Sequence, residues 1–323
     1  MKVLITGCAG FIGFHLSKEL LNNSSYKIYG IDNLNDYYDV DLKLNRLKIL
    51  KKNKKFNFFK LDIKKIDNLN ENFKKHRYDY VIHLAAQAGV RDSEKKPEKY
   101  KSNNIDGFFN IINCCQSYRI KHFLFASTSS IYGSQKKFPV KETFNTDSPL
   151  SFYAASKKTN ESIAHSYSNI YNISCTAMRF FTVYGPYGRP DMALYLFADA
   201  ITKNKKIKLF NHGKHIRDFT YIDDLVKYIT ILIPLKSRKK IPYEVYNIAS
   251  GKPKSLKNFL HIISKYLNKK PKIINMPLQR GDVYKTHADV SKIKKLVKNK
   301  FYTDLDLGIK KFIDWYKKYN SYE

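Results

Sequence analysis

A glycine-rich segment near the start of the chain constrains the fold more than any other feature. The segment is Thr6-Gly7-Cys8-Ala9-Gly10-Phe11-Ile12-Gly13, and it directly follows an apolar run. Glycines here permit a tight turn from a strand into a helix, and they let backbone amides approach a pyrophosphate at the positive helix N-terminus. The spacing G-x-x-G-x-x-G is one residue looser than the usual dinucleotide-binding pattern. An ordinary strand-to-helix turn is therefore the alternative interpretation.

An aspartate at the end of the second apolar run favours nucleotide binding over a plain turn. Asp32 lies 19 residues beyond Gly13. A carboxylate at this place accepts hydrogen bonds from the adenosine ribose hydroxyls and repels a 2′-phosphate, which favours NAD over NADP. Asp62 closes the third run, where it could reach the adenine edge. Capping the next helix is an equally ordinary role for that aspartate.

Short apolar runs rich in β-branched and aromatic residues alternate with helical patterns through the first half of the chain. The predicted strands are 2–6, 27–32, 56–62, 80–84, 122–127 and 174–180. The predicted helices between them are 14–22, 105–117 and 153–171. Such alternation is typical of an α/β fold, a doubly wound parallel sheet covered by helices on both faces.

The pattern becomes less regular after Gly185. Residues 192–203 are predicted to form a helix, and residues 245–249 a strand that returns to the sheet. No low-complexity linker separates the two halves. We therefore predict a nucleotide-binding domain at 1–185, with returning segments near 215–250, and a smaller lobe at 186–323 that mainly binds substrate.

The composition limits the range of partners. The formal net charge of +31 could attract nucleic acid or an anionic membrane. The excess is nearly all lysine, however, and it is scattered, whereas arginine is the better reader of bases and phosphates. The first apolar run is too short for a signal peptide or a membrane span, as is the stretch 228–235. We expect a cytoplasmic, soluble protein that binds neither nucleic acid nor membrane.

The four cysteines do not predict a metal site or a disulfide framework. Cys8, Cys114, Cys115 and Cys175 lack C-x-x-C spacing and lack a histidine at ligand spacing. An adjacent pair such as Cys114 and Cys115 cannot easily bridge to itself. We predict reduced thiols in the core and no metal.

A second group of polar residues suggests acid–base chemistry. Ser127-Thr128-Ser129-Ser130 follows a predicted strand, and Tyr153-Ala154-Ala155-Ser156-Lys157 opens a predicted helix. Tyr153 and Lys157, at i and i+4, share one helix face. A phenol with a pKa near 10 is a weak base at neutral pH, so it needs positive charge nearby, from the lysine and from oxidised nicotinamide. Lys157 could also hold the nicotinamide ribose.

With these motifs in place, the chain resembles the extended short-chain dehydrogenase/reductase family over essentially its whole length. Further matching pieces are His83-Leu84-Ala85-Ala86-Gln87 and the pair Asn103-Asn104. Within that family it is most similar to the UDP-glucuronate 4-epimerases. The closer similarity is carried by Gly30-Ile31-Asp32-Asn33-Leu34-Asn35-Asp36-Tyr37-Tyr38-Asp39 and by the stretch from Arg179 to Met192.

The resemblance implies a Rossmann domain with tightly held NAD, a homodimer built through a helix pair, and an enzyme that supplies sugars for polysaccharides. It implies catalysis by Thr128, Tyr153 and Lys157. The NAD-binding residues that it implies are Gly7, Gly10, Phe11, Ile12, Gly13, Asp32, Asn33, Asn35, Asp62, Ile63, Leu84, Ala85, Ala86, Gln87, Asn103, Tyr153, Lys157 and Phe181.

The side chains next to the catalytic threonine indicate which class of reaction to expect. Similar dehydratases and decarboxylases carry an acidic residue one or two places after that threonine, where this chain has Ser129 and Ser130. Elimination or C5 chemistry needs an acid–base group close to the sugar ring. We therefore predict epimerisation of UDP-glucuronate at C4 through a 4-keto intermediate. The alternatives are a UDP-glucose 4-epimerase, a decarboxylase-like enzyme, or a non-catalytic NAD-binding or RNA-associated protein.

The substrate contacts are predicted from the resemblance together with charge. Besides Thr128, the candidates for the sugar carboxylate are Thr182 and Arg189, because a hydroxyl or guanidinium suits a carboxylate acceptor. Arg217, Arg280 and Asp282 are similar to the family's diphosphate and ribose contacts. A surface arginine at 189, and structural ion pairs of Arg217 or Arg280 with Asp218 or Asp282, are the competing interpretations.

Overall fold

The computed structural model describes residues 1–279, 282–297 and 301–322. Its centre is a seven-stranded parallel sheet in the order β11-β6-β5-β4-β1-β2-β3. The strands of this sheet are β1 Lys2–Thr6, β2 Lys27–Asp32, β3 Phe56–Lys60, β4 Tyr80–His83, β5 His122–Thr128, β6 Cys175–Phe180 and β11 Tyr243–Ile248. The strand order confirms the predicted Rossmann-type α/β fold.

Helices cover both faces of the sheet. The helices are α1 Phe11–Leu21, α2 Val40–Leu50, α3 Ile66–His76, α4 Asp92–Lys95, α5 Pro97–Tyr100, α6 Gly107–Ser117, α7 Phe152–Tyr171, α8 Ala193–Thr202, α9 Ile222–Leu232, α10 Leu256–Leu267, α11 Ser291–Lys294 and α12 Leu305–Tyr319. Buried residues of α1, α2 and α9 pack on one face, and those of α3, α6 and α7 on the other. Alternate residues of β1 point into the two cores, as a doubly wound sheet requires.

Six further strands in the described part of the chain lie outside the main sheet. Three two-stranded ribbons pair β7 with β10, β8 with β13, and β9 with β12. Their strands are β7 Thr182–Tyr184, β8 Lys206–Phe210, β9 Ile216–Arg217, β10 Phe219–Tyr221, β12 Lys254–Ser255 and β13 Lys272–Met276. The strand β11, from the second half of the chain, lies beside β6 and extends the sheet of the first half. The division into two domains near residue 185 stays a prediction.

The structure shifts several predicted boundaries. The helix predicted from residue 14 begins at Phe11, because the glycine loop ends at Gly10, which caps the helix. The third strand ends at Lys60 and leaves Asp62 in a turn. A π-helical turn at Lys101–Asp106, which contains the paired asparagines, precedes α6. Neither α2 nor α3 was identified from the sequence.

The four cysteines lie in the core as free thiols, as predicted. In the part of the chain that the structure describes, no helix combines the length and the apolar character needed to cross a bilayer.

Candidate active site

A cavity of about 790 Å³ lies at the carboxyl ends of the central strands and extends to residues of β7, β8, β9 and β10. It forms where the strand order reverses between β1 and β4, the usual ligand position in an open α/β sheet. The site residues predicted from the sequence line this cavity except Asp62 and Arg280. Arg280 lies outside the described residues.

The glycine loop forms one wall of the cavity. Gly7 has a φ of +73°, and a Cβ there would lie 2.8 Å from the amide nitrogen of Ala85. A Cβ on Gly13 would collide with the carbonyl oxygen of Gly7. The loop therefore needs glycine at both positions. Because α1 begins at Phe11, its unpaired first-turn amides face the cavity and suit a pyrophosphate.

Asp32 lies at the end of β2 and is nearly buried. Its carboxylate accepts hydrogen bonds from the amides of Ala9, at 3.1 Å, and Leu34, at 2.9 Å. Burial raises the pKa of Asp32, although these hydrogen bonds oppose the shift. The two amides hold the carboxylate at the cavity wall, where its remaining lone pairs can accept ribose hydroxyls.

Asp62 does not line the cavity. Its carboxylate accepts the amide of Lys64, at 2.9 Å, and the side-chain amide of Asn33, at 3.2 Å. Asn33 and Ile63 do line the cavity. The role that the structure shows for Asp62 is a turn and a support for Asn33, and adenine contact by Asp62 stays a prediction.

Helix α2 supplies two buried cations that the sequence analysis missed. Lys43 lines the cavity and donates to the side-chain oxygen of Asn35, at 2.9 Å. Arg46 is fully buried and donates to the carbonyls of Ala9, at 2.8 Å, and Tyr187, at 2.6 Å. Arg46 therefore connects the glycine loop to the loop that carries Arg189.

Three polar side chains meet at the centre of the cavity. Thr128 ends β5, and its hydroxyl donates to the Ser130 hydroxyl at 3.2 Å. Tyr153 lies in the first turn of α7. Burial raises the pKa of Tyr153, whereas a hydrogen bond with Thr128 and the positive charge of Arg189 lower it. Arg189 is a cation that the sequence analysis did not consider for this effect, and the contribution of Lys157 and oxidised nicotinamide stays a prediction.

Lys157 lies one turn after Tyr153 and also lines the cavity. Its ammonium donates to the carbonyl of Ala126 at 3.0 Å, and its side chain is almost fully buried. Burial lowers the pKa of Lys157 from 10.5 to about 8. Keeping the Lys157 ammonium charged at this buried position therefore costs desolvation free energy.

This cost predicts a pH-dependent stability. Between about pH 8 and 10.5 the folded protein binds fewer protons than the unfolded chain. The contribution of Lys157 to the free energy of unfolding therefore rises with pH through that window, and below the window it is unfavourable. We expect Lys157→Met, freed of bound nucleotide, to be more stable than the parent by up to about 3 kcal/mol near neutral pH. Urea unfolding at several pH values measures the difference, which should shrink toward the upper end of the window.

The matched control is Lys158→Met, which changes the neighbouring, partly exposed lysine of the same helix. Lys158→Met should give no pH-dependent gain in the free energy of unfolding. An equal gain in both variants would mean that methionine simply suits the helix, and the desolvation argument would fail.

A buried polar network supports the end of β5. Ser127 donates to Glu161 at 2.6 Å, and Arg179 donates to both oxygens of that glutamate, at 2.9 and 2.7 Å. Arg179 also donates to the Tyr132 hydroxyl at 3.0 Å. Because Glu161 lies one turn after Lys157, the network fixes the Thr128 strand end against the catalytic helix.

The asparagine pair has two separate roles. Asn104 is buried and exchanges hydrogen bonds with the backbone of Gln87, at 2.7 and 3.0 Å, and contacts the Ser156 hydroxyl at 3.1 Å. Asn103 lines the cavity, and its amide donates to the carbonyl of Lys99 at 2.7 Å. Asn104 thereby ties the loop after β4 to α7.

Thr182 and Arg189 also line the cavity, and the charge of Arg189 acts on Tyr153. Arg189 forms a two-point ion pair with Asp191, and its side chain is only 21 % exposed. It is therefore not a plain surface arginine. Asp191 is a further cavity residue that the sequence analysis missed.

Arg217 and Asp282 lie farther out in the cavity. The guanidinium of Arg217 donates to the backbone carbonyls of Ile216 and Tyr284, both at 3.0 Å. It does not pair with Asp218, which accepts backbone amides instead. Asp282 pairs with Arg91 at 3.1 Å.

Arg91, which also lines the cavity, was missed because it follows the matched Gln87 segment without a motif of its own. The arginines around Asp282 leave a net positive charge that suits a diphosphate.

Comparison with known proteins agrees with this geometry. The NAD dependent epimerase/dehydratase family matches residues 3–249. The chain is 44% identical to Protein CapI of Staphylococcus aureus, over 99% of both chains. It is 40% identical to a UDP-glucuronate 4-epimerase of Thermodesulfobacterium geofontis, over 97% of this chain and 95% of the relative.

A solved structure shares the whole fold. The UDP-glucuronic acid 4-epimerase from Bacillus cereus, in complex with UDP-glucuronic acid and NAD, superposes with a TM-score of 0.92 at 34% identity, covering 99% of this chain and all of that one. The chain described here belongs to the NAD dependent epimerase/dehydratase family.

Proposed function

We propose that this protein is an NAD-dependent isomerase that converts UDP-glucuronate to UDP-galacturonate by inverting C4. The observation that carries the proposal is that one cavity joins the glycine loop, Tyr153 with Thr128, and a partly buried arginine for a sugar carboxylate. The sequence and structural relatives that bear this activity in their names support it. Nucleotide sugars and NAD are cytoplasmic metabolites, and we propose that the protein acts there.

The described residues fit NAD. The glycines of the loop and the first residues of α1 line the cavity, where backbone amides can approach a pyrophosphate, and Asp32 offers acceptors to the adenosine ribose. Tyr153 and Lys157 would hold the nicotinamide ribose. NAD, when bound, would supply the acceptor for a hydride from C4 and the donor that returns it to the opposite face of the sugar.

The chain's own residues handle the proton. The Tyr153 phenol, as phenolate, accepts the proton of the C4 hydroxyl, and Thr128 orients that hydroxyl by hydrogen bonding. Both Arg189 and bound nicotinamide favour the phenolate by their positive charge. The same phenol then returns the proton after the 4-keto sugar has turned about its bond to the diphosphate.

Arg217 and Arg91 would hold the diphosphate while the sugar turns. Both line the outer part of the cavity, and guanidinium groups grip phosphate oxygens in pairs. The diphosphate is therefore the fixed end of the substrate and the sugar the moving end. Asp282, paired with Arg91, would orient that arginine and accept a ribose hydroxyl.

The carboxylate needs a holder of its own because the intermediate is a β-keto acid. Its C4 ketone lies two carbons from the C6 carboxylate, and carbon dioxide leaves when the C5–C6 bond stands perpendicular to the carbonyl plane. Thr182 and Arg189, which both line the cavity, would hold the carboxylate out of that alignment. The serines at 129 and 130, in place of an acid, leave C5 without an acid–base partner in the motif.

The test is to incubate the purified protein with UDP-glucuronate and without added cofactor, and to follow products by NMR and mass spectrometry. UDP-galacturonate at unchanged mass supports the proposal and shows that NAD copurifies. A UDP-pentose with loss of carbon dioxide would show a decarboxylase. Turnover of UDP-glucose but not UDP-glucuronate would show the neighbouring epimerase class.

We further propose that the protein is a homodimer paired through α6 and α7. Large apolar side chains of these two helices face solvent in one chain, including Phe109 and Ile170, which are 45% and 63% exposed. Phe109 stacks edge-on against Tyr167 of α7, so the two helices present one continuous apolar surface. A second copy of this surface would cover it.

The double variant Phe109→Glu/Ile170→Glu is expected to convert a dimer to a monomer, because four carboxylates would meet at the interface. Light scattering after gel filtration measures the mass. The control is Leu307→Glu, an equally exposed leucine of α12, which should leave the mass unchanged. A parent protein that already runs as a monomer would refute the dimer.

A further inference from the structure

The loop that carries Arg189 also carries its partner. Asp191, two residues along, accepts from Nε of Arg189 at 2.9 Å and from Nη2 at 2.5 Å. A guanidinium presents two edges that can each grip a carboxylate, one with Nε and one with Nη1. Asp191 occupies the Nε edge. The Nη1 edge makes no hydrogen bond to another described residue and stays available to the cavity.

A residue from the other side of the cavity fixes Asp191. Tyr37, in the loop after β2, donates its hydroxyl to Asp191 Oδ2 at 3.4 Å. Space for that hydroxyl comes from Gly89, where a Cβ would collide with it and where φ is +110°. The backbone after β4 thus leaves room for Tyr37 to reach the loop of Arg189.

The charge state of this contact is stable. Burial would raise the pKa of Asp191, but the hydrogen bond and charge of Arg189 outweigh burial and hold it below its ordinary value. Burial and the nearby Asp191 raise the pKa of Tyr37 to about 12. Around neutral pH the aspartate is therefore ionised, and the tyrosine keeps the proton that it donates.

We propose that Asp191, held by Tyr37, is a positioning residue that aims the free edge of Arg189 at the sugar carboxylate and so keeps the 4-keto intermediate from losing carbon dioxide. The inference rests on the proposed function. Asp191 does not touch the reacting atoms, and its effect reaches the substrate through the guanidinium alone.

The side reaction that Asp191 suppresses is loss of carbon dioxide from the 4-keto intermediate, which needs only a proton from water. The C5–C6 bond breaks, C6 leaves as carbon dioxide, and the electron pair moves into an enolate spanning C5, C4 and the ketone oxygen. A proton from water then adds to C5, which gives a UDP-4-keto-pentose. The hydride removed earlier from C4 stays on the nicotinamide if this ketone leaves, and its return to the ketone gives a UDP-pentose. A carboxylate that two guanidinium N–H groups hold in a fixed orientation cannot turn its C5–C6 bond into the reactive alignment.

The experiment compares product ratios of the cofactor-containing enzyme with UDP-glucuronate. Asp191→Asn keeps the shape but removes one acceptor and the charge, and Tyr37→Phe removes one hydroxyl. We expect the decarboxylated fraction of turnover to rise about tenfold or more in Asp191→Asn and by a smaller factor in Tyr37→Phe. The control Asp147→Asn removes an exposed partner of Lys158 and should leave the ratio unchanged.

The outcomes separate the two proposals. If the parent enzyme does not epimerise UDP-glucuronate, the proposed function fails. If the parent epimerises and Asp191→Asn gives the parent's product ratio, only this inference fails. A lower KM at an unchanged ratio would also overturn it, since Asp191 would then merely compete with the substrate for Arg189. If Asp191→Asn does not fold, the ratio of Tyr37→Phe decides.

Discussion

Tyr153→Phe is expected to lower kcat about 10²- to 10⁴-fold, the range for loss of a general acid–base group. The variant lacks the oxygen that takes the C4 proton, and no other described phenol stands beside Thr128 in the cavity in its place. The ring remains, so the packing of α7 and the nucleotide site should be preserved. Conversion of UDP-glucuronate followed by NMR measures the rate, and NAD released on denaturation measures the bound cofactor.

Tyr118→Phe is the matched control. This tyrosine donates its hydroxyl to the carbonyl of Asn70, at 3.1 Å, and is not part of the cavity. It should turn over at the parent's rate. If Tyr153→Phe kept the parent's kcat, the acid–base role would be wrong. If it lost its bound NAD as well, the loss of rate would report binding instead of chemistry.

Arg179→Met is expected to lower the free energy of unfolding by about 3–5 kcal/mol, the cost of leaving one partner of a buried ion pair alone. Arg179 and Glu161 each have side chains only 5% exposed. Without the guanidinium, Glu161 keeps the Ser127 hydroxyl but loses two charge-assisted hydrogen bonds. Denaturant unfolding of the purified variant gives the change.

Two further variants make this prediction specific. Lys158→Met breaks an ion pair of the same helix whose aspartate is 71% exposed, and it should cost at most about 1 kcal/mol. The double variant Arg179→Met/Glu161→Gln should recover part of the loss, because no unpaired charge stays buried. A double variant as unstable as the sum of the two single variants would contradict the account.

The features predicted from sequence are those whose chemistry lies within one local stretch. Spacing along the sequence indicates the local geometry of the glycine loop, of Asp32 at a strand end, and of Tyr153 four residues before Lys157. The parallel sheet followed from apolar runs that are buried on both faces. The strand or helix to which each of these residues belongs determines its burial and its backbone geometry.

The residues missed are those that act from another part of the chain. Helix α2 was not identified because Lys43 and Arg46 occupy inward-facing positions and interrupt its apolar pattern. In a chain with 59 basic residues, nothing local separates these two from solvated lysines. Tyr37 and Asp191 are 154 positions apart and meet only across the cavity.

The pairing of β11 with β6 determines the earliest point at which the central sheet can be completed on the ribosome. β6 is buried along its whole length, and its outer neighbour is completed only at Ile248. Until that residue has left the exit tunnel, the nascent sheet has an open apolar edge of the kind that pairs with other chains. An expressed fragment that stops at residue 185 would keep that edge permanently. Fusions and truncations of this protein should therefore retain the chain through β11.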